Sequence, residues 1–315
     1  MRQSPSARSQ SPNSYTLNGA SLKLQVSGGT ATVSVASGSH VVTAPVQLQS
    51  DTTIDTTPAT STIALSGGLS ATAGVTLTKK GAGTLLVTNL RVTSVSVQDG
   101  AIRLITNGTA DGVSDVTNLS ISSGAQLDLN NNALIVRSGD VGSWNGSVYT
   151  GIAGMIQSGR NAGSWSGSGI VTSQSNATGG NLTTIGLVVA TATTPTLGGI
   201  SVAESDVLVM YTYGGDATLD GKINIDDYVR IDSGIASALP GWSNGDFNYD
   251  GKVNIDDYTQ FIDPNIVNQG FPLAPVAPAI GLPGTDAVAV PEPSLAFLSG
   301  VFCCRLLRRR GRGLP

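Results

Sequence analysis

Between residues 20 and 136 apolar and polar positions alternate in short bursts: Leu22, Leu24, Val26; Val33, Val35; Ile63, Leu65; Val75, Leu77; Leu85, Val87; Val95, Val97; Ile102, Leu104; Leu119, Ile121; Leu127, Leu129; Leu134, Val136. A period of two turns every second side chain to one face and predicts half-buried β-strands. Gly, Ser, Asn and Asp fill the gaps and predict tight turns. A sandwich and a solenoid both accommodate such strands. Self-similarity separates them: a turn glycine followed by a strand recurs at Gly81, Gly100 and Gly124, about 20 residues apart. Coils stacked about 4.8 Å apart repeat themselves, whereas a sandwich has no reason to. The expectation is a mainly β chain, with a parallel β-solenoid (β-helix) over residues 20–209.

Residues 75–90, VTLTKKGAGTLLVTNL, carry a resemblance. The stretch from Leu77 to Leu85 is similar to the autotransporter-associated β-strand repeat of bacterial exported β-helices, which implies the same fold for one clear copy here. Lys79 and Lys80 read most simply as a solvated turn. Residues 137–200 are richer in Gly, Ser and Trp. Trp144 and Trp165 read either as a sugar-stacking pair or, preferably, as caps on the apolar core.

The period changes after residue 210. GDATLDGKINIDDY and GDFNYDGKVNIDDY are two copies of one phrase, thirty residues apart. Asp216, Thr218, Asp220, Lys222, Asn224 and Asp227 take positions 1, 3, 5, 7, 9 and 12 of a twelve-residue loop; Asp246, Asn248, Asp250, Lys252, Asn254 and Asp257 repeat them. Alternate oxygens on a tightly curled loop suit a hard cation such as Ca2+, and glycine at position 6 (Gly221, Gly251) allows the turn. Position 7 contributes its carbonyl, so a lysine is tolerated there. Each loop carries a formal −3 that one divalent ion reduces to −1, which couples metal binding to folding. Two Ca2+ ions are therefore expected. Tyr228, Ile231, Ile235 and then Ile255, Tyr258, Ile262 form apolar stripes that predict two short helices, ended at Leu239-Pro240-Gly241 and at Pro264.

This pair resembles the dockerin type I module, which implies a small all-α, two-calcium domain over residues 210–268, extracellular assembly and a polysaccharide-related setting. Thr218 departs from the usual Asn or Asp at position 3, which weakens the first site. At positions 10 and 11, where dockerins meet cohesins, Ile225-Asp226 and Ile255-Asp256 replace the frequent hydroxyl pair. Two partners stay open, a cohesin-like domain and the end of the chain's own solenoid.

Composition sharpens this picture at the edges. Of 21 acidic residues only Glu204 and Glu292 are glutamates. Net charge is −4, yet five of the 17 basic residues fall between Arg305 and Arg312, leaving 12 against 21, or −9, on residues 1–304. An acidic body excludes nucleic acid as a partner. Residues 1–19 are polar, Ser/Pro-rich and expected to be disordered; residues 269–289 read as a Pro-rich linker. Residues 290–315 place Pro291-Glu292-Pro293 before an apolar run and a basic cluster. That order resembles a PEP-CTERM sorting signal and implies export, processing by an exosortase-type enzyme, and membrane association at the cell surface. The apolar run from Leu295 to Cys304 is short for a full span. Residues 1–19 hold no signal-peptide core, and the conflict with export is expected to reflect a mis-assigned or truncated start. Cys303 and Cys304 are adjacent and cannot staple a fold.

Catalysis finds little support. The acids of the solenoid, Asp51, Asp55, Asp99, Asp111, Asp115, Asp128, Asp140, Glu204 and Asp206, form no recurring pair, and His40 reads as a turn residue. Asp128 is expected to face outward. The favoured function is an exported surface structural or binding protein; the alternative is a carbohydrate-active β-helix enzyme, a polysaccharide hydrolase or lyase bearing a docking module.

Overall fold

The alternating bursts build the walls of a three-sided parallel β-solenoid of about five turns. One wall stacks Ser6–Ser9, Ala31–Val35, Thr52–Thr56, Thr76–Lys80, Ser94–Val97 and Asn118–Ile121; the second runs from Thr16–Leu17 through Ser39–Val42, Thr62–Leu65, Thr84–Val87, Ala101–Leu104 and Gln126–Asp128 to Gly169–Val171. The third holds Leu22–Leu24, Val46–Leu48 and Leu69–Ala71, with Ser114–Val116 and Ala133–Val136 in the later coils. The glycine-led repeats occupy successive coils, Thr84 pairing with Ala101 and Ala101 with Gln126. The computed structural model describes residues 6–9, 13–192, 194, 196–273 and 275, all within one compact unit. Ser6–Ser9 and Thr16–Leu17 pair as strands inside the stretch expected to be disordered.

Period-two burial produces the core: Leu77, Leu85, Val87, Val97, Ile102 and Leu104 are wholly inaccessible, each worth about 1.5–3 kcal/mol relative to exposure. Lys79 occupies the same inward phase, between Ile54 and Val97 of the flanking coils, which corrects its reading as a solvated turn. Its ammonium is fully buried and donates to the carbonyls of Lys80 (2.7 Å), Gly81 (2.5 Å) and Asp99 (3.2 Å). Burial pushes it down to about 8, against the opposing pull of Asp99 and Asp55. His40 is also buried, stacked on Tyr15 at 5.4 Å. Asp128 keeps the outward phase, opposite Arg103 in the adjacent coil, yet it is buried there, because it takes Arg103 Nε at 2.7 Å and the amides of Asn130 and Ser173.

Regular coiling stops at Val171. The helix Gly151–Arg160 packs beside Gly169–Val171, and a long antiparallel hairpin, Thr183–Val189 with Val207–Tyr213, closes the end of the solenoid through Ala133–Val136. The strand Val207–Tyr213 runs directly into the first acidic loop, so a boundary at residue 210 falls inside a strand. One apolar core continues from the coils through Ile185 into Trp242, Phe247, Tyr249, Phe261 and Ile262. Gly186 lets Trp242 lie on the hairpin: a Cβ there would stand 2.6 Å from the indole.

Beyond the loops, the helix Ile225–Ser237 buries Ile231 while Ile235 stays exposed. The second helix does not stop at Pro264. It passes from Ile255–Asp257 through a π-turn at Tyr258–Ile262 into Asp263–Asn268. The wider turn accommodates a proline that lacks an N–H and would clash with the preceding turn. The π-turn also shifts the register by one residue. Tyr258 bonds Asp232 while Tyr228 bonds Asp263 at 2.8 Å, so the helices are joined reciprocally although the strict thirty-residue equivalent of Asp232 is Ile262. Among the described residues no helix is long and apolar enough to cross a membrane. Pro291, Glu292, Pro293 and the basic tail lie outside the described residues.

Candidate metal centre

The structure curls both acidic phrases in the same way. Gly221 and Gly251 have φ of 86° and 84°, and the preceding position-4 residues, Leu219 and Tyr249, also adopt left-handed backbone at 56° and 60°. This conformation is unusual for residues with a Cβ. It turns successive amides inward onto the position-1 carboxylate: Asp216 accepts from Asp220 N (3.2 Å) and Gly221 N (2.8 Å), and Asp246 from Asp250 N (3.1 Å) and Gly251 N (2.9 Å). Asn224 and Asn254 cap the following helices, each accepting from the amide two residues on. Their own amides donate to Asp227 and Asp257 at 2.8 and 3.0 Å, which completes a capping box. The helix start therefore fixes the position-12 carboxylate facing position 1.

Donor oxygens converge in the first loop, where Thr218 Oγ1 lies 3.4 Å from Asp216 Oδ1 and 3.0 Å from Asp227 Oδ1. Asn224 Nδ2 donates to Asp220 Oδ2 at 3.0 Å. In the second, Asn248 bonds Asp250 at 3.1 Å, and Asp257 Oδ1 accepts from Phe247 N at 2.9 Å. The Lys222 and Lys252 side chains point to solvent, and their carbonyl oxygens accept no hydrogen bond within the described residues. The first phrase thus brings positions 1, 3, 5, 9 and 12 into mutual contact; the second ties position 1 to 5, position 3 to 5 and position 9 to 12, and in both the position-7 carbonyl accepts no hydrogen bond among the described residues.

Electrostatics sets these loops apart. Asp216, Asp227, Asp246 and Asp257 are all wholly buried. None forms an ion pair among the described residues; Lys222 reaches only Asp220, at 3.9 Å and half exposed. Burial, then the neighbouring Asp227, pushes the Asp216 carboxyl up to about 8. Burial pushes Asp257 up to about 7 and raises Asp220, Asp227 and Asp246 as well. Buried carboxylates in proteins are normally paired or bound to a cation. No group of three or more His, Cys, Asp or Glu side chains among the described residues is arranged to hold a metal by itself. A calcium loop does not depend on one, since hydroxyl, amide and backbone oxygens share its coordination. The all-oxygen donor set and the unbalanced buried charge fit a divalent hard cation.

Ile225 and Ile255 are 73% and 68% exposed, beside exposed Asp226 and Asp256, so the position-10 and -11 pairs present matched apolar–acidic points to solvent. Trp165 is buried in the core, whereas Trp144 lies half-buried against Gly251, so the two indoles do not make a stacking pair. In the solenoid, Arg137 holds Asp115 and Asp206, and Arg103 holds Asp128.

Sequence reasoning missed Tyr149, Gln157, Arg160 and Trp242. Tyr149 donates to Asp246 Oδ2, Gln157 and Arg160 bond second-loop carbonyls, and Trp242 Nε1 donates to Asp216 O at 2.9 Å. The one available hint was the clustering of tryptophan and tyrosine at 144–165 and 242–249 in a chain with 5% aromatics. Compared with protein-family models, curated proteins and solved structures, the chain matches none.

Proposed function

We propose that this chain is an exported surface protein, a β-solenoid whose last coils adjoin two calcium loops, serving as a structural or binding module. The observation that carries the reading is the pair of matched loops with four wholly buried carboxylates, none of them in an ion pair among the described residues. In each loop the carboxylates of positions 1, 5 and 12, the side-chain oxygen of position 3 and the carbonyl of position 7 would hold the ion. Position 9 contributes through its side chain or a water. The ion supplies the positive charge that these buried groups lack.

Export and assembly rest on the resemblances of the loops to dockerin type I and of residues 290–315 to a PEP-CTERM signal read by an exosortase-type enzyme. The exposed pairs Ile225-Asp226 and Ile255-Asp256 then form the face offered to a cohesin-like domain in a polysaccharide-related assembly. Titration calorimetry on the chelator-stripped chain tests the metal reading. Two Ca2+ per chain and a raised melting temperature are expected; absence of binding heat together with an unchanged melting temperature refutes it.

A further inference from the structure

The second loop is held by side-chain hydrogen bonds from residues 144–160, whereas the first meets the solenoid through Leu219, packed with Val113, Ala133 and Ile135. Residues 144–160 reach the second loop at four of its positions. At position 1, the Tyr149 hydroxyl donates to Asp246 Oδ2, 97 residues away in sequence. At position 3, Arg160 Nη1 donates to Asn248 O at 3.0 Å, and at position 4, Gln157 Nε2 donates to Tyr249 O at 2.7 Å. At position 6, the Trp144 indole lies so close to Gly251 that a Cβ would stand 2.2 Å from it. Gln157 and Arg160 are three residues apart on the helix Gly151–Arg160 and so share a face. Gln157 Oε1 in turn accepts from Tyr149 N at 2.9 Å, tying the helix to the tyrosine it serves. The phenol is steered by edge contacts with Trp144 (5.1 Å) and Tyr249 (6.1 Å).

In the first loop the matching hydroxyl is Thr212, only four residues before Asp216. The carbonyls of Thr218 and Leu219 receive no bond of this kind.

We infer that the second ion site is shared between the acidic loop and the end of the solenoid. Tyr149 is a positioning residue for Asp246, and ion occupancy of this loop and seating of residues 144–160 are a single equilibrium. The inference rests on the two-ion reading above. A donor that orients a ligating carboxylate from outside tunes affinity at that site alone. Linkage requires the reverse effect too: removal of the ion loosens the clamp by the same coupling.

The full chain tests this by two-site Ca2+ titration and by amide hydrogen exchange. Tyr149→Phe is expected to weaken one of the two sites about tenfold and leave the other unchanged. Thr212→Val is expected to weaken the opposite site. In the wild type, chelation is expected to speed exchange in residues 151–160 while the strands Thr84–Val87 and Ala101–Leu104 stay protected. Two ions bound with unaltered affinities in Tyr149→Phe, or unchanged exchange of 151–160 after chelation, overturns the shared site and leaves the two-ion reading standing. A wild type that binds no Ca2+ overturns both. The exchange arm needs no variant, so it decides the question even if Tyr149→Phe misfolds.

Discussion

The two acidic loops share their twelve-position layout, left-handed fourth and sixth residues and capping boxes, yet they are closed by different means. The first takes its extra hydroxyl from Thr212 in the adjoining strand; the second takes it from Tyr149 across the molecule. The first loop has no buried cation bonded to it. The second has Arg160, whose guanidinium donates to Asn248 O, lies 5.5 Å from the Phe261 ring and is lowered by its burial. The contrast shows that one sequence phrase can specify a local cradle while leaving its closure to whatever the fold brings alongside. Trp242 is the part they share, since it bonds the first loop and stacks on Tyr249 of the second at 5.7 Å.

Complete removal of calcium has the largest expected effect. An ion at 100 times its dissociation constant stabilises by about 2.7 kcal/mol, hence about 5 kcal/mol for two independent sites. Denaturant midpoints with and without chelator read this, and a loss near half that value would show that one loop alone is filled. Replacing the shared wedge, Trp242→Ala, is expected to cost about 3–5 kcal/mol and to weaken both sites together. Weakening of a single site in calorimetric titration would break the comparison by showing the loops independent.

Acidity offers a finer probe. Asp216 and Asp257 are raised in the folded, metal-free chain to about 8 and about 7, against about 3.9 when unfolded. The folded state then holds more protons between these values, so stability without calcium falls as pH rises from about 4 to about 8. Melting temperatures of the chelated chain across that range should decline, with the last part of the decline, above pH 7, abolished by Asp216→Asn. The calcium-loaded chain should not decline. The smallest effects separate side chain from backbone at single positions. Thr218→Asn should tighten the first site a few-fold and leave the second alone, whereas Lys222→Ala should stay within about 0.5 kcal/mol of wild type, because position 7 acts through its carbonyl.

The solenoid walls were legible because period-two burial is a local signal: Leu85, Val87, Ile102 and Leu104 face inward as their spacing predicts. The curl of the two loops was legible for the same reason, its amide-to-carboxylate bonds and capping boxes lying within twelve residues. What escaped was either long-range or a local rule overridden. Tyr149 finds Asp246 only through the packing of a helix onto the last coil, and no spacing encodes that. Lys79 carries a charge that argues for solvent, but its strand phase and three nearby carbonyls prevail. Pro264 argues for a helix end, but the π-turn before it absorbs the clash. Ile235 and Ile255 lie on the predicted stripes yet are exposed, while Ile231 and Ile262 of the same stripes are buried.

The Lys79 ammonium carries one more lesson. It supplies its corner of the solenoid with a cation that is covalently tethered, so neither dilution nor a chelator can extract it. The acidic end would draw its positive charge from the surrounding fluid instead. A single molecule would then combine a shaft indifferent to ambient calcium with a tip that reports it. In calcium-poor surroundings the expected product is an intact solenoid with slackened loops, not a collapsed chain.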